Sequence, residues 1–280
     1  MSALRFAVAK VDTQALGRSA VVALYDELAL APKPGLVSFV DSGSHTDMQA
    51  GTLLRSLFAL RRYFPAIAAA GAAGEDFSVL QRLGLAAEAR MLAATGGINT
   101  HRGAIFTLGL LCAAAGHEMA LGSRPSPSAL RAGLLQRWGG DLDDLARRPR
   151  TSHGRNAAQS FGLRPAAAEA ALGFPGLFGT ALPALRRAAA LGPRLARLQA
   201  LFEVMAVLDD TNLAHRGGLA GLRWAQQQAR GFLAAGGAAR PDAIEHAQAL
   251  HTAFVARRLS PGGAADLLAA ACWLDRNTSR

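Results

Sequence analysis

The chain is poor in lysine, cysteine, aromatic rings and acid, and each shortage excludes something. Two cysteines in 280 residues rule out a disulfide scaffold and a cysteine-based metal site. Cys112, inside Leu110-Leu111-Cys112-Ala113, reads as a small buried thiol. Aromatics make up 6% of a chain that is 51% hydrophobic, so the apolar mass is aliphatic and dominated by helix-favouring Ala and Leu. The longest apolar stretch, Ala104 to Gly116, falls short of the roughly 20 residues a membrane span needs. The start, MSALRFAVAKVD, carries neither a long apolar core nor a small-residue cleavage site. These features set the expectation of a cytoplasmic protein with no membrane partner.

Acidic residues are also few: 20 Asp+Glu against 30 Lys+Arg leave a formal charge of +10. Only Lys10 and Lys33 are lysines; the remaining cations are arginines. Nine arginines lie between Arg147 and Arg197 with a single acid, Glu169, while residues 1–100 and 201–280 are close to neutral. A nucleic-acid binder would spread its cations along one face among interleaved aromatics. Here only Phe161, Phe174 and Phe178 fall among them, which argues against nucleic acid as a partner.

Helical periodicity dominates. Residues 14–30 place Leu16, Ala20, Ala23, Leu24 and Leu28 on one face, and Pro32-Lys33-Pro34-Gly35 stops that helix. Further helices are predicted over 50–70, 78–94 and from Asn99 or Thr100 to Gly116. Others follow at 126–138, 181–190, 194–208, 217–234, 240–258 and 263–274. Pro193, Pro241 and Pro261 stand near first turns, where a missing N–H costs little. Period-two alternation is confined to Leu36–Val40. The expectation is an all-α protein forming one domain over 1–280, with 139–175 as an irregular loop or flap.

Four polar segments interrupt this background. Pro32-Lys33-Pro34-Gly35-Leu36-Val37 holds a rare lysine on stiff backbone, suited to presenting a compact cation to a ligand. Asp41-Ser42-Gly43-Ser44-His45-Thr46-Asp47 packs two carboxylates, an imidazole and three hydroxyls into seven residues. Gly96-Gly97-Ile98-Asn99-Thr100-His101-Arg102-Gly103 leads into an apolar helix, the arrangement an anion site at a helix start requires. Asp209-Asp210-Thr211-Asn212-Leu213-Ala214-His215-Arg216-Gly217-Gly218 offers hard oxygen ligands for Mg²⁺ and echoes the His-Arg-Gly of the third segment. Glu88 faces either solvent or the same pocket. Turn, cap and solvated-surface chemistry explains each segment singly; it does not explain four of them in order between helices.

These segments, with Glu88 through Ala94-Thr95, resemble the triphosphoribosyl-dephospho-CoA synthases in order and spacing from about residue 20 to residue 235. The form Val37-Ser38-Phe39-Val40-Asp41 and the stretch Thr151-Ser152-His153-Gly154 resemble the malonate decarboxylase branch more than the citrate lyase branch. Arg102 stands where the family often has Lys, which keeps the charge and changes its donor geometry. The resemblance implies an all-α transferase that joins ATP to 3′-dephospho-CoA with loss of adenine. Its product is the precursor of a prosthetic group that a separate transferase attaches to an acyl carrier protein. It also suggests roles: Asp47 or Glu88 near the ribose, His45 as base, and Asp209 and Asp210 on Mg²⁺. Lys33, Asn99, Thr100, His101, Arg102, Asn212, His215 and Arg216 would serve the substrates and their phosphates. A different Mg²⁺-dependent enzyme of phosphorylated ribosyl substrates, or a basic helical binding protein, stand as the alternatives. Oligomeric state is left open.

Overall fold

The computed structural model describes residues 11–123, 125–148 and 160–279, so Thr151–Gly154 lies outside the described residues. Those residues form helices joined by turns, with no strand among them. In chain order they are α1 (Thr13–Ala29), α2 (Ala50–Leu60), α3 (Tyr63–Ala72), α4 (Phe77–Ala94), α5 (Arg102–Ala120) and α6 (Pro127–Arg147). Then come α7 (Ala166–Ala171), a π-helical turn (Leu177–Ala181) leading into α8 (Leu182–Arg187), and α9 (Pro193–Val207). The last three are α10 (Thr211–Ala234), α11 (Ala243–Ala256) and α12 (Gly262–Asn277).

The post of the structure is α5, which packs against α3, α4, α6 and α12. Every residue from Leu108 to Gly116 is buried. Its length and composition would let it cross a membrane, yet 67% of that window lies inside the protein. Small residues let α3 and α5 meet backbone to backbone. A Cβ at Gly71 would sit 2.0 Å from the Ala113 carbonyl oxygen, and one at Gly116 would sit 2.0 Å from that of Ala68. Gly116 therefore continues the helix instead of ending it, and α5 runs on to Ala120. Both thiols are buried and unbonded, and burial raises their pKa. The two buried indoles are satisfied by carbonyls, Trp138 by Glu75 and Trp273 by Leu16.

Most predicted helices are present, and three departures have local causes. The span 50–70 is two helices, because Pro65 lacks an N–H and its ring crowds the carbonyl four residues back, at Arg61. The predicted end at 138 is overrun: α6 continues through Gly139 and Gly140 to Arg147. There Leu142 and Leu145 prolong the buried face of Leu134 and Trp138, and their burial offsets about 1 kcal/mol lost at each glycine. Of the stretch 139–175 expected to be irregular, residues 139–147 and Ala166–Ala171 are helical. Finally, α10 starts at Thr211, seven residues before Gly218, whose φ of 63° and ψ of −169° kink it. The alternating run Leu36–Val40 is a loop that buries Leu36 and Val37 and exposes Phe39 and Val40.

Candidate active site

The loop after α1 turns Lys33 inward. Its Nζ donates to the Glu27 carbonyl oxygen at 2.7 Å and pairs with the Glu27 carboxylate. Lys33 is 1% exposed, so the expectation of a lysine presented outward to a ligand is corrected. A buried ammonium needs a partner, and the last turn of α1 supplies it. Burial lowers the Lys33 pKa, and Glu27 opposes that shift. Further along the same loop, His251 of α11 bridges the Lys33 carbonyl (2.8 Å) and Asp41 (3.1 Å).

The third segment divides around the first turn of α5. His101 is 4% exposed; its Nδ1 meets Ser56 Oγ of α2 at 2.7 Å, and its Nε2 has no partner. Burial and then the nearby Lys33 charge push its pKa down to about 4, which leaves the ring neutral at physiological pH. Thr100 Oγ1 is likewise buried without a partner. Asn99 Oδ1 accepts from the Arg102 backbone N–H, so Asn99 holds the first residue of α5 from three positions ahead of it. Arg102 Nε donates to Glu88 Oε2 at 3.0 Å, and the arginine side chain keeps 43% exposure.

Asp210 ties two helix starts together. Oδ1 accepts from the N–H groups of Asn212 and Leu213 at the head of α10, and Oδ2 accepts from Ala264 at the head of α12. The closeness explains the glycines opposite: a Cβ at Gly263 would lie 3.1 Å from Asp210 Oδ2, and one at Gly262 2.9 Å from Asn212 Nδ2. Asp266 makes the next link. It bonds the Ala104 N–H at the head of α5, and a Cβ at Gly103 would fall 1.9 Å from its Oδ2. Its pKa lies well above the usual carboxylate value, through burial and the charges of Glu27 and Asp210. The Asp210 pKa is raised by burial and held back by its backbone donors.

The heads of α5, α10 and α12 therefore meet at two carboxylates, Asp210 and Asp266, beside a cavity of about 1040 Å³, counting space open to solvent. Gly103, Thr107, Arg164, Glu169, Asp209 and Asp266 are among its walls. Helix N-termini favour negative charge, whether side chain or bound anion. Among the described residues no three His, Cys, Asp or Glu side chains form a metal-holding group. The Asp210 oxygens are taken up by backbone N–H groups, so the expectation that both aspartates ligate a metal is corrected: Asp209, facing the cavity, is the one left to meet a Mg²⁺ whose other ligands are substrate oxygens.

Not every predicted residue reaches this cavity. His45 sits with Arg216 (Nη2 to Nδ1, 3.0 Å), Ser260 (2.9 Å) and Asp47 (3.5 Å). Arg216 also donates to the Ser44 and Arg258 carbonyls, pinning the second and fourth segments to the turn before α12. Burial and then Arg216 lower the His45 pKa. Asn212 and His215 are exposed on the same stretch of α10. Glu88 lines a smaller cleft on a neighbouring face of α5. Of the two places expected for it, the shared pocket is corrected: α4 carries it to this cleft, where its side chain keeps 28% exposure. Glu27, Ser56, Ser260, His251 and Asp266 were not singled out by the sequence. The one available signal was a lone acid, Asp266, in the run Ala264-Ala265-Asp266-Leu267-Leu268.

Residues 13–279 match the family model for CitG, ATP:dephospho-CoA triphosphoribosyl transferase. The chain is 44% identical to a probable 2-(5''-triphosphoribosyl)-3'-dephosphocoenzyme-A synthase of Azotobacter vinelandii, over 92% of this chain and 89% of the relative. It is 42% identical to a protein of the same description from Stutzerimonas stutzeri, over 99% of this chain and 97% of the relative. A third, from Citrobacter koseri, is 38% identical over 88% and 85% respectively. No solved structure matches the chain.

Proposed function

Because the chain belongs to the CitG family of ATP:dephospho-CoA triphosphoribosyl transferases, we propose that its larger cavity is where ATP and 3′-dephospho-CoA react. The 2′-hydroxyl of the acceptor ribose attacks C1 of the ATP ribose. The bond from C1 to adenine breaks with its electron pair on the base, and adenine takes up a proton as it leaves. Such a displacement builds positive charge on the ribose ring, as glycoside cleavage does, and a fixed carboxylate stabilises it. The observation that carries this reading is the meeting of three helix starts and four acids, Glu169, Asp209, Asp210 and Asp266, at one cavity.

Asp266 is our choice for the carboxylate beside the reacting ribose, where it accepts the hydroxyl proton. The guanidinium group of Arg102 faces the phosphates from the head of α5, and that of Arg216 from the exposed start of α10. Asn99, Asn212 and His215 border the same approaches. Asp209 would hold Mg²⁺, which neutralises triphosphate charge when bound, and Asp210 fixes the helix starts beside it. His45 and Asp47 shape the entrance with Arg216, and Lys33 and His101 act from behind the cavity wall. The test is release of adenine from ATP with and without dephospho-CoA. The expected result is one adenine per triphosphoribosyl-dephospho-CoA formed; adenine release that ignores the acceptor overturns the reading.

The finer assignment is to prosthetic-group synthesis for malonate decarboxylase, in the cytoplasm, with a downstream transferase and an acyl carrier protein as partners. The form of Val37-Ser38-Phe39-Val40-Asp41 supports that branch. Incubating the product with the downstream transferase and each carrier tests it: loading of a citrate lyase carrier alone reassigns the chain.

A further inference from the structure

The smaller cleft lies between α3, α4 and α5, with about 490 Å³ of unfilled space on the measure used for the larger cavity. Tyr63, Ile67, Leu80, Leu85, Ile105 and Phe106 give it apolar walls. The Tyr63 hydroxyl is committed to the Ile105 carbonyl at 3.0 Å, so the polar groups left to a ligand are at the rim, on Gln81 and Glu88. Leu85 there is 53% exposed.

The cleft and the larger cavity have separate linings on neighbouring faces of α5, and Arg102 and Gly103 at the head of that helix lie between them. Glu88 on its rim grips Arg102, and the next residue, Gly103, lines the cavity. Around the first turn of α5 there is thus an acidic hollow, then one partly exposed arginine, then an apolar hollow. Dephospho-CoA has the complementary parts in the same order: the ribose that reacts, a diphosphate, and a pantetheine arm of apolar segments broken by amides.

Resting on the reaction proposed above, we infer that this cleft is the binding site for the pantetheine arm of the acceptor, with Arg102 beneath the diphosphate. The apolar walls cover the arm's methyl and methylene groups, and the rim groups of Gln81 and Glu88 meet its amides. Arg102 compensates the diphosphate where the chain passes from one hollow to the other.

Gly84 of α4 provides the test. A Cβ there would meet nothing closer than the Tyr63 hydroxyl at 3.7 Å, so a larger side chain fills the cleft without displacing packed atoms. Replacing a glycine inside a helix also favours the helix. Gly84→Leu is compared with wild type by calorimetric titration with dephospho-CoA and with ADP, which ends at the diphosphate and lacks the arm. Steady-state adenine release is measured alongside. The expected result is a rise on the order of tenfold in Kd and KM for dephospho-CoA, with ADP affinity and the KM for ATP within about twofold. Leu85→Lys, at the exposed rim, repeats the comparison should Gly84→Leu fold poorly. Equal shifts for ADP and dephospho-CoA, or wild-type protein that binds both equally well, overturn the inference. Absence of adenine release by wild type counts against the reaction itself, which the binding data separate from the arm site.

Discussion

The group Glu27, Lys33, His101, Asp210 and Asp266 and the group His45, Asp47, Arg216 and Ser260 are made of similar residues, drawn from equally distant parts of the chain. Their surroundings differ. The first is shielded from bulk water and leaves His101 Nε2 without a partner. The second reaches the surface through Arg216 and Asp47, which are exposed, over a largely buried His45 and Ser260. Water screens the second group and leaves the first to settle its charges internally. An imidazole or an aspartate therefore carries a large energetic consequence in one place and a small one in the other.

Substitutions can break or sharpen that contrast. The largest effect is expected at Asp266. Asp266→Asn lowers adenine release on the order of 10²–10⁴-fold, the span of a lost acid–base group. It leaves thermal stability unchanged or improved, because a carboxylate crowded by Glu27 and Asp210 becomes neutral. A fall in stability to match the fall in rate would make Asp266 a structural link only. Lys33→Met comes next: it leaves Glu27 buried and unpaired, and urea unfolding should show a loss of about 3–5 kcal/mol.

His101 gives a pH signature. Its folded pKa of about 4 lies below the unfolded 6.5, so between those values the unfolded chain binds more protons. Stability is fully present above pH 6.5 and declines as pH falls toward 4, by up to about 3 kcal/mol. His101→Gln should flatten that part of the unfolding profile; an unchanged slope refutes the neutral buried imidazole. The smallest effect is expected in the surface group, where Arg216→Met should cost less than about 1 kcal/mol in the same unfolding assay. A loss comparable to that of Lys33→Met would erase the distinction between the two groups.

Much of the fold was legible because its signals are local. The face Leu16, Ala20, Ala23, Leu24 and Leu28 is buried as its spacing requires. The boundaries that failed depended on residues whose influence lies outside their own turn. Pro65 acts on a carbonyl four residues earlier, and Leu142 and Leu145 hold α6 together across two glycines. The site was legible as four segments and illegible as an assembly. Ser56, Ser260 and Asp266 are ordinary residues within their own segments. Ser56 and Ser260 take their place from residues 45 and 215 positions away, and Asp266 from the head of α5. Lys33 was conspicuous for its rarity, but nothing nearby in sequence marked Glu27 as the carboxylate that would turn it inward.

The seam between α3 and α5 has a consequence for how this chain can drift. Gly71 and Gly116 lie against carbonyl oxygens of the facing helix, so even a methyl group would have to pry the pair apart. The clefts beside α5 have room to spare, and a Cβ at Gly84 would make only an ordinary contact, 3.7 Å from the Tyr63 hydroxyl. Sequence change along this helix pair is therefore directional: the seam is locked to the smallest residues, while the pocket walls are free to alter size and polarity. New substrate preferences can accumulate around α5 without disturbing the post that holds them.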